Sequence, residues 1–303
     1  MTILNKIILI IAGPTAVGKT DLCINLAKKF NTVIISSDSR QFFQEINIGT
    51  AKPSEKELDM VPHYFIGNKS IKDNYNVRMY EAEALDCIST LFQEKDFLIL
   101  TGGSGLYIDA VVDGLDPIPK VNQEIREELN LMYAKNGIGY LQDLLEKLDP
   151  VYFANVDRQN PQRLIRSLEV CLDTGLPFSS FRTRKKAIRP FNTIKIALNR
   201  DREELYERID QRMDRMIAKG LFEEAIEMYP YRNLNALNTV GYKEIFGFLD
   251  GAYDKDEAVR LLKRNSRRYA KRQLTWLKRD KTYHWFHPDN VEGILALVEA
   301  QMS

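Results

Sequence analysis

The chain has 303 residues, enough for one large domain or about two ordinary ones. Hydrophobic residues make up 44% and charged residues 28%, which excludes a mainly disordered chain. No run approaches the ~18 uninterrupted apolar residues of a membrane span, and 43 basic against 42 acidic residues leave bulk charge without a preferred partner. The apolar start, Ile7 to Ala12, is too short for a secretory h-region and leads straight into a glycine loop, so the chain reads as cytoplasmic. Cys23, Cys87 and Cys171 are far apart and odd in number, which argues against a disulfide framework or a cysteine-type zinc site.

In chain order, Ile7–Ala12 is a continuous apolar run, as expected of a strand covered on both faces. Gly13-Pro14-Thr15-Ala16-Val17-Gly18-Lys19-Thr20 follows, then a helical stripe of Leu22, Leu26 and Phe30. Thr32–Ser36 reads as a second buried strand ending in Ser37-Asp38-Ser39-Arg40-Gln41, and a loop with Pro53, Pro62 and His63 comes next. Met79 to Phe92 is helical by period, and Phe97–Thr101 is a third strand opening onto Gly102-Gly103-Ser104-Gly105. Between Gly114 and Asn192 the pattern is helical only, with Leu129, Leu141, Leu145, Leu164, Ile165 and Leu168 at helical spacing. A fourth strand, 193–198, precedes two long helices, 203–229 and 256–278. The expected fold is α/β: a P-loop NTPase-like parallel sheet flanked by helices, formed by residues 1–113 and 193–303. An all-helical insertion would occupy 114–192. No heptad-like stripe suggests a dimer, so a monomer is expected.

Charge is segregated. From Arg260 to Lys281 ten basic residues face one acid, Asp280, and a second run holds Arg182, Arg184, Lys185, Lys186 and Arg189 without any. Two such runs in a neutral chain point to a polyanion, against the plainer reading of solvated helix faces.

Gly13-x-x-x-x-Gly18-Lys19-Thr20 matches the phosphate loop at every defined position, between a buried strand and a helix. Such a loop turns backbone N–H groups toward an anion at a helix N-terminus. Lys19 would meet a terminal phosphate, and the Thr20 hydroxyl would hold Mg²⁺. An ordinary P-loop nucleotidase carries a metal-supporting Asp at a neighbouring strand end. Here the third strand ends in Thr101-Gly102-Gly103, and the available carboxylate is Asp38 at the end of the second. Position alone leaves Asp38 open between a metal ligand or general base and a simple helix cap.

These residues resemble the bacterial tRNA dimethylallyltransferases (tRNA isopentenyltransferases) over nearly the whole chain. The resemblance is carried by the phosphate loop, Ser37–Gln41, Asn47–Pro53, Gly102–Tyr107, Asn160–Arg163 with Leu168–Val170, Val240–Glu244 and Tyr269–Trp276. It implies a cytoplasmic enzyme that prenylates N6 of the tRNA adenine next to the anticodon (position 37) with dimethylallyl diphosphate and Mg²⁺. Gly13, Pro14, Thr15, Ala16, Val17, Gly18, Lys19 and Thr20 would then bind the diphosphate, with Arg208 and Arg212 as candidates to grip it; the plainer alternative for those two is ion pairing with Glu204 or Glu207. Lys19, Thr20 and Asp38 would be catalytic, Asp38 as the base. The anticodon stem-loop would be met by Asp38, Ser39, Arg40, Gln41, Ser104, Arg126, Gln159, Asn160, Pro161, Gln162, Arg163, Gly241, Tyr242 and Lys243. Ser104 stands where the family usually has threonine, keeping the hydroxyl and dropping the methyl. Tyr64 stands where a second histidine is common after His63, and His284 and His287 read as structural. The rivals are an adenylate isopentenyltransferase acting on free nucleotides, an NTP-hydrolysing P-loop enzyme, and a non-catalytic RNA-binding module.

Overall fold

A computed structural model of the chain describes residues 6–183 and 185–302. In chain order the elements are β1 (Ile7–Ala12), α1 (Lys19–Lys29), β2 (Ile34–Ser36), α2 (Glu55–Leu58), β3 (His63–Tyr64), α3 (Val77–Leu91), β4 (Phe97–Gly102), α4 (Gly105–Asp113), α5 (Gln123–Leu148), α6 (Pro150–Phe153), α7 (Pro161–Thr174), α8 (Phe178–Phe181), β5 (Asn192–Leu198), α9 (Arg202–Ala218), α10 (Leu221–Met228), α11 (Tyr242–Leu249), α12 (Lys255–Leu277), β6 (His284–Phe286) and α13 (Val291–Met302). The six strands form one parallel sheet in the order β3-β2-β4-β1-β5-β6.

β1 is central and wholly buried. Ile8, Ile10 and Ala12 enter one apolar cluster while Ile7, Leu9 and Ile11 enter the other, so the strand is covered on both faces. Its carboxyl end, with those of β4 and β2, opens the crevice where ligands bind in such sheets. Two edge strands, β3 and β6, go beyond the four expected from the sequence; at two and three residues they are too short for an apolar run. The expected helix 203–229 is α9 and α10, broken where Gly220 takes a φ of 98°.

The chain divides into two compact units, one running to Val112 and resuming at Ile188, the other Asp113–Ala187. The return falls before the expected Asn192 because the intervening residues are anchored in the first unit. Arg189 donates to Glu81 and to the Ala110 carbonyl, both at 2.7 Å, and Phe191 packs on Phe92. The second unit is helical and has its own core of Leu129, Leu141, Leu145, Leu164, Ile165 and Leu168. Among the described residues no helix is long and apolar enough to cross a membrane.

One carboxylate organises the loop after β2. Glu224 of α10 accepts the backbone N–H groups of Asn47, Ile48 and Gly49, each at 2.8 Å, and the Tyr242 hydroxyl at 2.5 Å. Tyr242 is fully buried and packs where a Cβ on Gly49 would stand, which excludes any larger residue at 49. Charge-assisted bonds of this kind are worth about 1.5–3 kcal/mol each, and donors stranded without a partner cost as much again. Glu224→Ala should therefore destabilise the fold by at least ~2 kcal/mol in a denaturant titration. A loss below ~0.5 kcal/mol would mean that water replaces the carboxylate at no cost.

Candidate active site

The phosphate loop leaves β1 and enters α1 through two residues with positive φ, Ala16 at 64° and Gly18 at 111°. Its carbonyls are gripped by three cations. Lys19 Nζ donates to the Gly13 and Pro14 oxygens at 2.9 and 2.8 Å, Arg208 Nε to Ala16 at 2.9 Å, and Arg200 Nε to Val17 at 2.9 Å. No side chain caps the N-terminus of α1, so its first N–H groups are left for an anion. Arg200, nearly buried, is itself held by Asp289 at 2.8 Å and by Glu204. Its role could not be read from the sequence, where its position just after β5 was the only available signal.

From the other side Gln273 of α12 closes the loop, accepting the Thr15 N–H at 2.9 Å and donating to the Gly103 oxygen at 2.9 Å. A Cβ on Gly103 would stand 2.2 Å from the Gln273 amide, so the glycine permits this bridge.

Asp38 follows β2 and lines the same cavity, of about 510 Å³, as Lys19, Arg208, Arg212 and Tyr269. One of its oxygens accepts the Arg40 N–H at 3.0 Å, so the capping role exists alongside the cavity position. Burial pulls Lys19 down to about 8, opposed by the negative charge of Asp38 and furthered by Arg212. Burial likewise lowers Arg212, with Asp38 opposing. It raises the Tyr269 phenol to about 12, with Asp38 adding to the rise. Asp38 thus offsets both Lys19 and Arg212 in a partly dry cleft. Ser104 Oγ accepts the Ser39 N–H and bonds the Ser39 hydroxyl, both at 3.1 Å, so the retained hydroxyl is in use.

Arg208 and Arg212 make no ion pair among the described residues; Glu204 is taken by Arg200, and Glu207 by Gln211. Arg40 and Gln41 spend side-chain donors on backbone: Arg40 on the Asn235 and Ala236 oxygens, Gln41 on those of Thr50 and Ala51. Gly241 and Tyr242, expected among the RNA contacts, are turned into the protein. Both are buried, the Gly241 N–H bonds Glu244 and the Tyr242 hydroxyl bonds Glu224, leaving Lys243 alone exposed.

In the second unit Arg126 forms a two-pronged pair with the buried Glu169, at 2.6 and 2.9 Å. Asn160 caps α7 ahead of Pro161, while Gln159, Gln162 and Arg163 are exposed.

The basic runs are partly spent. Arg260 pairs with Glu257, Lys263 with Asp214 and Arg267 with Asp210, while Arg268, Lys271, Arg272, Lys278, Arg279 and Lys281 are exposed. In the shorter run Lys186 pairs with Asp113 and Arg189 with Glu81, while Arg184 lies outside the described residues. Asp280, the acid of the longer run, bonds Lys195 of β5 at 2.7 Å.

No cluster of three or more His, Cys, Asp or Glu able to hold a metal occurs among the described residues. Thr20 is exposed on the first turn of α1 and makes no side-chain hydrogen bond among the described residues. That suits a Mg²⁺ that arrives on a diphosphate and keeps most of its waters.

A model of the IPP transferase family matches residues 41–280. The chain belongs to that family. It is 50% identical to a tRNA dimethylallyltransferase of Cytophaga hutchinsonii, covering 100% of this chain and 99% of the relative. A tRNA dimethylallyltransferase 1 of Bacteroides fragilis is 48% identical, over 98% and 99%. The fold is similar to a crystal structure of a tRNA isopentenylpyrophosphate transferase from Bacillus halodurans, with TM-score 0.73, 34% identity and coverage of 98% and 97%. It is also similar to a eukaryotic dimethylallyltransferase acting on tRNA, with TM-score 0.73, 26% identity and coverage of 90% and 70%. The phosphate loop lies before the matched family segment but within the full-length relatives.

Burial brings Lys19 down to about 8, which gives the site a pH signature. Below about 8 the free protein carries the ammonium that holds an anion; above it, binding must first restore that proton. Calorimetry with inorganic diphosphate should show affinity falling from pH 7 to 9, and Lys19→Ala should abolish that extra fall. The same pH dependence in the wild type and in Lys19→Ala would remove Lys19 from anion binding.

Proposed function

We infer that the protein transfers a dimethylallyl group from dimethylallyl diphosphate to N6 of the adenine at position 37 of tRNA, releasing diphosphate. The observation that carries this reading is the sharing of one cavity by Asp38 and the cationic phosphate loop. A loop built to hydrolyse nucleotide would need a metal-supporting carboxylate at the end of β4, where Thr101-Gly102 stands.

In the reaction the N6 amine attacks the allylic carbon, the C–N bond forms and the C–O bond to diphosphate breaks with its electron pair. Lys19, Arg208, Arg212 and the loop N–H groups stabilise the charge that grows on the leaving oxygens. An exocyclic amine is a weak nucleophile and must lose a proton as the bond forms; Asp38 takes it. The Arg40 N–H, bonded to one Asp38 oxygen, leaves the other for this task. Thr20 would hold Mg²⁺ on the diphosphate, which when bound adds charge neutralisation at the leaving group. The anticodon stem-loop would be met by Ser39, Ser104 and Lys243 on the first unit. On the second, Arg126 and the exposed Gln159, Gln162 and Arg163 would meet it, with Asn160 and Pro161 fixing the start of their helix.

Asp38→Asn preserves size and removes basicity. Single-turnover assays with labelled dimethylallyl diphosphate should show a fall of ~10²- to 10⁴-fold, with tRNA affinity changed much less. Near-normal turnover would reduce Asp38 to a cap. Label appearing in AMP and not in tRNA would replace the proposed acceptor with a free nucleotide.

A further inference from the structure

The basic face of α9 continues past the residues assigned to the diphosphate and on to Lys219, the residue that ends the helix. Arg208, Arg212, Arg215 and Lys219 follow one another at intervals of four, three and four, which puts them on one face, and all four line the cavity. Their backbone positions span about 16 Å at 1.5 Å per residue, whereas a diphosphate reaches across about one helical turn of 5.4 Å. None of the four forms an ion pair among the described residues. Four of the five acids of the same helix are engaged elsewhere: Asp210 with Arg267 and Asp214 with Lys263 of α12, Glu204 with Arg200 and Glu207 with Gln211; the fifth, Glu203, lies in the first turn, away from Arg215 and Lys219.

Like charges three and four residues apart repel one another on a helix. The repulsion is felt here, since the Arg215 charge adds to the burial that lowers Arg212. A row of unpaired cations kept along a cavity costs stability unless an anion meets it. On the reading given above, the diphosphate is already met by Lys19, Arg208, Arg212 and the start of α1. Arg215 and Lys219, both exposed, are surplus to it.

We propose that Arg215 and Lys219 form a second phosphate subsite at the solvent end of this row, taking a backbone phosphodiester of the bound tRNA beside the target base. This rests on the assignment of the inner end of the row to the diphosphate. The same two cations could also receive free diphosphate on its way out, since the chemistry recognised is one phosphate group.

The double variant Arg215→Ala with Lys219→Ala separates these sources. Both side chains are exposed, so its melting temperature should match the wild type, and the charge-retaining Arg215→Lys with Lys219→Arg is the second control. With tRNA as the source, tRNA affinity falls several-fold. The slope of log affinity against log salt becomes shallower by about 0.7–0.9 for each phosphate that the variant no longer neutralises. The charge-retaining variant restores both, and KM for dimethylallyl diphosphate and affinity for inorganic diphosphate stay within twofold. With free diphosphate as the source, the subsite stands but a second, weaker binding event for inorganic diphosphate disappears while the tRNA slope is unchanged. If tRNA slope and diphosphate isotherm both match the wild type, no second subsite exists. Wild-type protein that fails to bind inorganic diphosphate at all would instead overturn the assignment of the inner site.

Discussion

Everything at this site depends on keeping Lys19, Arg208 and Arg212 together with no ion pair among the described residues to neutralise them. Lys19 and Arg208, with the ion-paired Arg200, all donate to carbonyls of the phosphate loop and so fix its course. The arrangement costs self-repulsion and desolvation, visible in the lowered Lys19 and Arg212. Asp38 supplies the counter-charge, and it does so from the position where a base is required.

The framework that maintains this tension comes from distant parts of the chain. Gln273 joins the loop to the end of β4, and Trp276, one turn later, donates to Asp109 at 2.8 Å. α12 therefore does two jobs: one face locks the site, and the other exposes Arg268, Lys271 and Arg272. Arg200 brings in the segment after β6 through Asp289, so the last strand of the sheet also bears on the loop.

Much of this was legible in the sequence, because the informative segments are local. The apolar runs of β1, β4 and β5 and the spacing from Gly13 to Thr20 need no partner to be read. What escaped depends on tertiary contact. β3 and β6 are too short for any periodicity, and Arg200 looks like any other arginine until Val17, Glu204 and Asp289 surround it. The run from Arg260 to Lys281 reads as nearly bare charge, yet α9 supplies Asp210 and Asp214 to two of its members. Tyr242 sits in a segment matched to RNA contact, but a tyrosine beside a glycine gives no sign in sequence that its ring fills the space over Gly49.

The central claim is that a loop of nucleotidase type here serves a leaving group in a transfer to RNA. Its most direct test measures diphosphate and N6-prenylated adenine together in one reaction, with tRNA present, with tRNA absent, and with ATP in place of dimethylallyl diphosphate. The account predicts one diphosphate for each prenylated adenine, with no release when tRNA is left out and no hydrolysis of ATP. Diphosphate release at the same rate without tRNA, or steady turnover of ATP, would contradict it.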